Sequence, residues 1–147
     1  MFAVNVEGAV YKGDKWLIIE RSKKEENAGG LLSFVGGTVE NEGNAVDVLE
    51  RTLKREILEE VGVTIKDTIH FVTSTSFIAN SGATVLDIVF LCEHLDGEPY
   101  AKSPDEVESV HWLTKDEIIR HKKTPVWLRE NMEIADRVKQ NLIAPND

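Results

Sequence analysis

Cysteine is nearly absent: Cys92 stands alone in 147 residues. That excludes an internal disulfide framework and a cysteine-based zinc site. It sits in "VFLCEH", an apolar strand-like run, which suits a buried, inert thiol. Positive charge is also scarce, with 17 Lys and Arg against 26 Asp and Glu and a formal net charge of −9. Such a balance argues against nonspecific binding to nucleic acid or to an anionic membrane. A chain this acidic that handled a phosphorylated substrate would need cations to mediate the contact. No apolar run approaches the length of a membrane span, and the start "MFAVNVEGAV" lacks the basic residues of a signal peptide. The expectation is a soluble, cytoplasmic protein. There is no internal repeat, P-loop, G-x-S-x-G elbow or zinc motif, and His70, His94, His111 and His121 show no ligand spacing.

What is present is the composition of one globular domain, expected over residues 1–147, with 41% hydrophobic and 29% charged residues. "FAVNVEGAVYKGDKWLIIERS" reads as two strands about a turn at "KGDK". A charged loop, "KKEENAGG", leads to the short apolar run and paired glycines of "LLSFVGGTVE". From about Asn44 to Val61, the residues Val46, Leu49, Leu53, Ile57 and Val61 recur at helical spacing, and Gly62 is a natural stop. Two more strands flank a turn at "NSG", and "VESVHWL" forms another. Thr114 and Glu117 make a capping box for a short helix. Thr124 and Pro125 suit the N-cap and first position of a last helix, reaching about Asn141. The hairpin-like pairs favour antiparallel pairing over a purely parallel sheet, in a mixed α and β fold.

The stretch "LKREILEEVGV" carries the chemistry. At ~100° per helical residue, Glu59 lies ~60° to one side of Glu56 and Glu60 ~40° to the other. Three carboxylates thus share one turn near a helix C-terminus, where the macrodipole disfavours anions. A solvated acidic face would account for the acids alone. A hard divalent cation is the other account, since Mg²⁺ takes carboxylate oxygens and shares its remaining positions with water and phosphate.

The neighbouring residues weigh toward the metal. Gly36-Gly37 follow an apolar segment, Glu40 follows three residues later, and Arg55 to Val63 read "REILEEVGV". This resembles the Nudix box of the MutT-like Nudix hydrolases, whose second half, R-E-U-x-E-E-x-G-U with U a bulky aliphatic, is matched without a miss. The approach "LLSFVGGTVE" is similar to the family's glycine-glycine-x-x-glutamate segment. Two departures fall upstream of the helix. The Gly37–Arg55 segment is four residues longer than the family pattern, with the extra length in "ENEGNA", and Asp47 stands where the pattern has glutamate. A third is Val35, where many members have proline.

The resemblance implies a Nudix fold, a mixed β-sheet sandwiched between helices. It implies hydrolysis, dependent on Mg²⁺ or Mn²⁺, of the pyrophosphate linkage in a nucleoside diphosphate joined to a further group X. By position, Glu56, Glu59 and Glu60 would bind metal and take part in catalysis. Gly37 would offer its carbonyl to a metal, and Arg55 would orient a glutamate. Relatives often add a carboxylate from a loop before a late strand, and Glu106, which has the matching spacing to Trp112, is by that resemblance a candidate for binding substrate. Arg21, at the end of the second strand, is a candidate for phosphate, and Phe34 and Tyr100 are candidates for stacking on a base. Trp112 and Trp127 read as packing residues. "GEPYAK" is similar to a segment of MutT-type enzymes and leans the substrate toward nucleoside triphosphates. Many relatives pair as homodimers. The alternative is a module that keeps the fold and binds nucleotide without turnover.

Overall fold

The computed structural model describes residues 1–143. Two long strands open the chain, β1 (Phe2–Lys12) and β2 (Lys15–Arg21), joined at the expected turn. Gly13 takes the left-handed conformation there (φ 62°), which the two-residue turn requires. The glycine-pair segment supplies two short strands, β3 (Leu32–Ser33) and β4 (Val35–Thr38). Helix α1 (Val48–Val61) follows, then β5 (Thr64–Ile65), β6 (His70–Ile78), β7 (Thr84–Asp96) and β8 (Val107–Thr114). Helices α2 (Lys115–Arg120) and α3 (Val126–Ile143) complete the described chain.

The sheet is mixed, as expected. β1 pairs antiparallel with β2 and β4, but parallel with β7 over ten residues, Phe2↔Thr84 to Tyr11↔Glu93. β8 pairs with the far side of β2, and β6 and β5 pair with β7.

Period-2 alternation sends side chains to two separate cores. Val6, Val10, Leu17, Ile19 and Val35 pack against Leu53, Ile57 and Val61 of α1. Ala9, Trp16, Ile18, Leu32 and Phe34 pack on the other face against Ile118 of α2 and Leu128, Met132 and Ala135 of α3. The sheet is therefore covered on both faces. The apolar stripe of α1 packs tightly at Gly8, where a Cβ would sit 3.0 Å from Ile57 Cδ1. Lys139 of α3 is buried over the rings of Tyr11 (4.6 Å) and Trp16 (5.4 Å) and donates to the Gly13 carbonyl. It pins the last helix to the first turn. Cys92 is buried in the α1-side core, and burial pushes its thiol up to about 12, as suits an inert residue.

Three expectations are corrected. The first helix starts at Val48, not near Asn44. Asp47 takes a left-handed conformation (φ 53°), its carbonyl accepts from Arg51 N at 2.9 Å, and Val46 is 77% exposed. Val46 had the spacing of the stripe but belongs to the long loop before it. The last helix begins one residue late: the Pro125 carbonyl takes the first helical bond, from Arg129 N, while the Thr124 hydroxyl donates back to Ile118 O at 2.6 Å. Trp127 is 53% exposed on α3, so it is not a core residue, whereas Trp112 is partly buried and meets His94 edge-on at 5.5 Å. The capping box at Thr114 forms with both reciprocal bonds, 2.9 and 3.2 Å.

Candidate active site and metal centre

α1 is amphipathic in an unusual way. Its inward stripe of Leu53, Ile57 and Val61 is joined by Glu60, which is only 7% exposed. The helix ends where Gly62 turns left-handed (φ 71°) and donates to Leu58 O at 3.0 Å, a cap that suits glycine. The Tyr100 ring lies against Gly62, where a Cβ would be 2.6 Å from it.

This helix end holds the loop that follows β7. Tyr100 N donates to Val61 O (3.1 Å) and Lys102 N to Glu60 O (3.0 Å). From the opposite side, Ser22 N at the end of β2 donates to Glu106 O at 2.9 Å. Glu106 is thereby fixed beside α1. Carboxylate oxygens of Glu56, Glu60 and Glu106 all lie within 4.8 Å of one another.

Such a set repels itself without a cation. The Glu60 carboxyl is raised to about 9, first by burial, then by its hydrogen bond and charge interaction with Glu106 and by Glu56; Arg21 pulls the other way. Glu56 is also raised, by burial and the charge of Glu59, with Arg55 opposing. Glu60 Oε2 is the one buried side-chain polar atom among the described residues with no hydrogen-bond partner. Buried polar atoms rarely stay unmade, because the desolvation cost is about 1–3 kcal/mol. An all-oxygen donor set with an orphaned carboxylate oxygen fits a hard divalent cation.

Glycine completes the wall. Gly37 lies on β4 opposite Val6, and a Cβ there would come within 2.4 Å of Glu56 Cδ. Glycine there leaves space for that carboxylate, and its φ is not positive. Gly36 has a different reason: a Cβ would sit 1.9 Å from Val6 O, in the backbone of β1.

The remaining sequence candidates fall as follows. Arg55 reaches Glu56 Oε1 at 3.5 Å and Glu59 Oε1 at 4.0 Å. Glu59 is exposed on the solvent side of the same turn and outside the close triad. Arg21 ends β2, donates to Asn27 O (3.1 Å) and pairs with Glu25 (3.4 Å). Its charge is felt at Glu60, so it borders the site. Phe34 is corrected: at 2% exposure within the α3-side core it has no free ring face for a base. Tyr100, 55% exposed, keeps one. Glu40 and Asp47 are exposed, outside the triad, and Asp47 makes no side-chain cap.

One pair was missed altogether. Glu7 on β1 and buried Asp87 on β7 share a hydrogen bond on the α3 face, and both carboxyls are raised, chiefly by burial. Eighty residues and a parallel strand register separate them in sequence, so no local pattern marks them.

Three carboxylates converge at a helix end beside a glycine of the mixed sheet, on an α/β/α scaffold, in a donor set that fits a hard cation. Sequence and fold comparisons give the family. A family model described as the NUDIX domain matches residues 1–133. The MutT NUDIX hydrolase of Burkholderia pseudomallei superposes with a TM-score of 0.76 at 24% identity, over 91% of this chain and 98% of that one. The MutT protein of Methanosarcina mazei Go1 gives 0.75 at 20% identity, over 95% and 96%. The E. coli ORF135 protein gives 0.70 at 20% identity, over 99% and 95%. Among curated proteins no sequence match was found. The chain belongs to the NUDIX domain family, and its fold is that of these Nudix hydrolase and MutT structures. Among the described residues no helix is long and apolar enough to cross a membrane.

Proposed function

We propose that the protein hydrolyses the pyrophosphate linkage of a nucleoside diphosphate joined to a further group X, in a reaction dependent on Mg²⁺ or Mn²⁺. The preference leans toward canonical or modified nucleoside triphosphates. The observation that carries the reading is the buried, unpartnered Glu60 oxygen within the Glu56–Glu60–Glu106 triad. A divalent cation bound there would lower the pKa of its water and offset charge on the phosphoryl oxygens.

The protein's own groups divide the remaining work. Glu56, Glu60 and Glu106 would hold the cation, and Glu59 at the rim and the Gly37 carbonyl would be further ligands. Arg55 positions Glu56 through its 3.5 Å contact and opposes the rise of its pKa. One carboxylate of the set takes the proton that water loses as its oxygen attacks phosphorus. The bond from that phosphorus to the bridging oxygen breaks, and two phosphorylated fragments leave. Arg21 steadies the substrate's phosphates. Glu106, first a candidate for touching substrate, is better placed as a ligand because it lies within the triad.

The test is a panel of nucleoside triphosphates, oxidised nucleotides, dinucleoside polyphosphates, nucleotide sugars, ADP-ribose and NADH, with Mg²⁺ or Mn²⁺. At least one compound should yield phosphorylated fragments, and Glu60→Gln should lower that rate by orders of magnitude in a folded protein. No turnover of any compound would favour a silent nucleotide-binding module instead, and turnover indifferent to the substitution would overturn the catalytic role of this triad.

A further inference from the structure

The segment from Gly97 to Glu106 joins β7 to β8. Its last residue matters most. Glu106 is exposed, so burial of its own side chain does not hold its carboxylate beside Glu56 and Glu60. The backbone has to place it.

A helix leaves its last carbonyls without partners of its own. At the end of α1 this segment supplies them: Tyr100 N donates to Val61 O and Lys102 N to Glu60 O, and Lys102 Nζ reaches Leu58 O at 3.5 Å. Between the two amides, Ala101 packs at the edge of the α1-side core. Two glycines let the chains meet. Gly62 presents bare backbone to the Tyr100 ring, whose Cε1, Cδ1 and Cζ would lie 2.6, 3.3 and 3.4 Å from a Cβ there. Gly97 (φ 96°) lies against Gly62 in turn, where a Cβ would be 2.6 Å from Gly62 O. The Gly97 carbonyl accepts from His94 Nε2 at 2.7 Å. Beyond Lys102 little slack remains. The Ser103 carbonyl accepts from both Glu106 N (2.9 Å) and Val107 N (2.8 Å), a tight turn, and Ser22 N holds Glu106 O. Where Lys102 sits therefore sets where Glu106 sits.

We propose that Tyr100 is a positioning residue for the cation site: its ring, seated on the bare backbone of Gly62, clasps the segment to the end of α1 and so holds Glu106 within reach of Glu56 and Glu60. This role rests on the triad being the cation site. Backbone bonds on an exposed segment compete with water and net little by themselves. The ring adds an apolar contact that water does not replace. Ring carbons make that contact, so phenylalanine should serve in place of tyrosine and alanine should not.

Calorimetric titration of Mn²⁺ into the whole metal-free chain, with no nucleotide present, separates this role from stacking on a base. Tyr100→Ala should raise the Mn²⁺ Kd about tenfold, the lower end of what losing a partner behind a metal ligand costs. Tyr100→Phe should keep the wild-type Kd. Adding Tyr100→Ala to Glu106→Gln should cost nothing more, because the ring acts only through Glu106. Hydrogen exchange on the metal-free chains should show the Lys102 amide exchanging faster in Tyr100→Ala than in the wild type. Should Tyr100→Ala not fold, Tyr100→Leu, which lacks the flat ring, takes its place in the same cycle. A wild-type Kd in Tyr100→Ala, a Tyr100→Phe variant as weak as the alanine one, an undiminished loss in the Glu106→Gln background, or a Lys102 amide indifferent to the ring overturns the role. A Glu106→Gln variant that binds Mn²⁺ as tightly as the wild type is a different result: the triad is then not the cation site, and the positioning role falls with it.

Discussion

Replacing Glu60 with glutamine should stabilise the metal-free protein while abolishing tight metal binding. The Glu60 carboxyl is raised from its usual 4.5 to about 9. Between those values the folded chain keeps a proton that the unfolded chain has released. Stability falls as pH rises wherever the folded state binds more protons, so this group's contribution is whole below about 4.5 and is lost progressively up to about 9. At pH 7 the ceiling on the loss is about 3 kcal/mol, from ~1.4 kcal/mol per pKa unit across the interval already titrated. Glutamine is neutral at every pH and escapes the penalty, keeping its shape and a hydrogen bond toward Glu106. With half the ceiling relieved, and roughly 2–4 °C per kcal/mol for a chain of this size, the variant should melt about 3–6 °C higher at pH 7 without metal. The gap should widen toward pH 9 and vanish near pH 4.5. Adding Mn²⁺ at pH 8 should raise the wild-type midpoint strongly, since a ligand at 100 times its Kd stabilises by about 2.7 kcal/mol, and raise the variant's little. Calorimetry from pH 4.5 to 9, with and without Mn²⁺, measures all of this. A metal-free wild type whose melting is flat across that range, or a variant that melts below it at pH 8, would refute the argument.

Gly37→Ala should leave the fold intact, because Glu56 can swing away from the new methyl. It should weaken Mn²⁺ binding and turnover by about a hundredfold, read by titration and steady-state kinetics, which fits the scale of a misplaced ligand. Gly36→Ala meets backbone, not a flexible side chain, and should instead cost soluble yield and melting temperature. Glu59→Gln should reduce Mn²⁺ affinity less than Glu60→Gln, because Glu59 stands at the exposed rim; equal losses in a calorimetric titration would count against that ordering. Ile57→Ala, fully buried under the sheet, should lower unfolding free energy by about 2–5 kcal/mol in urea titration.

Much of the site was legible in the sequence because it is local. The acids of "REILEE" lie within one helical turn, so helix geometry alone brings Glu56 and Glu60 together and sets Arg55 beside them. The Gly62 stop, the Thr114 capping box and the "KGDK" and "NSG" turns depend on a few adjacent residues, and each formed where expected. Local spacing also misled. Val46 continued the apolar stripe on paper, yet a left-handed Asp47 breaks the chain direction before the helix can reach it.

Composition and local pattern by themselves determined the class of the fold, the acidic helix and its glycine wall. Tertiary structure decided how deep each acid lies and which partner arrives from afar. Glu106 joins the triad because two backbone bonds tie its loop to the end of α1 and a third ties it to β2. The parallel register of β1 with β7, which sets Asp87 opposite Asn5 and so brings Glu7 diagonally beside it on the same face, likewise rests on contacts about eighty residues apart. Burial of Glu60 depends on loops closing over it, not on its own neighbours in the chain. Local rules set which residues share a turn. The dielectric around them, and so the free energy that a cation would relieve, is set by everything that packs on top.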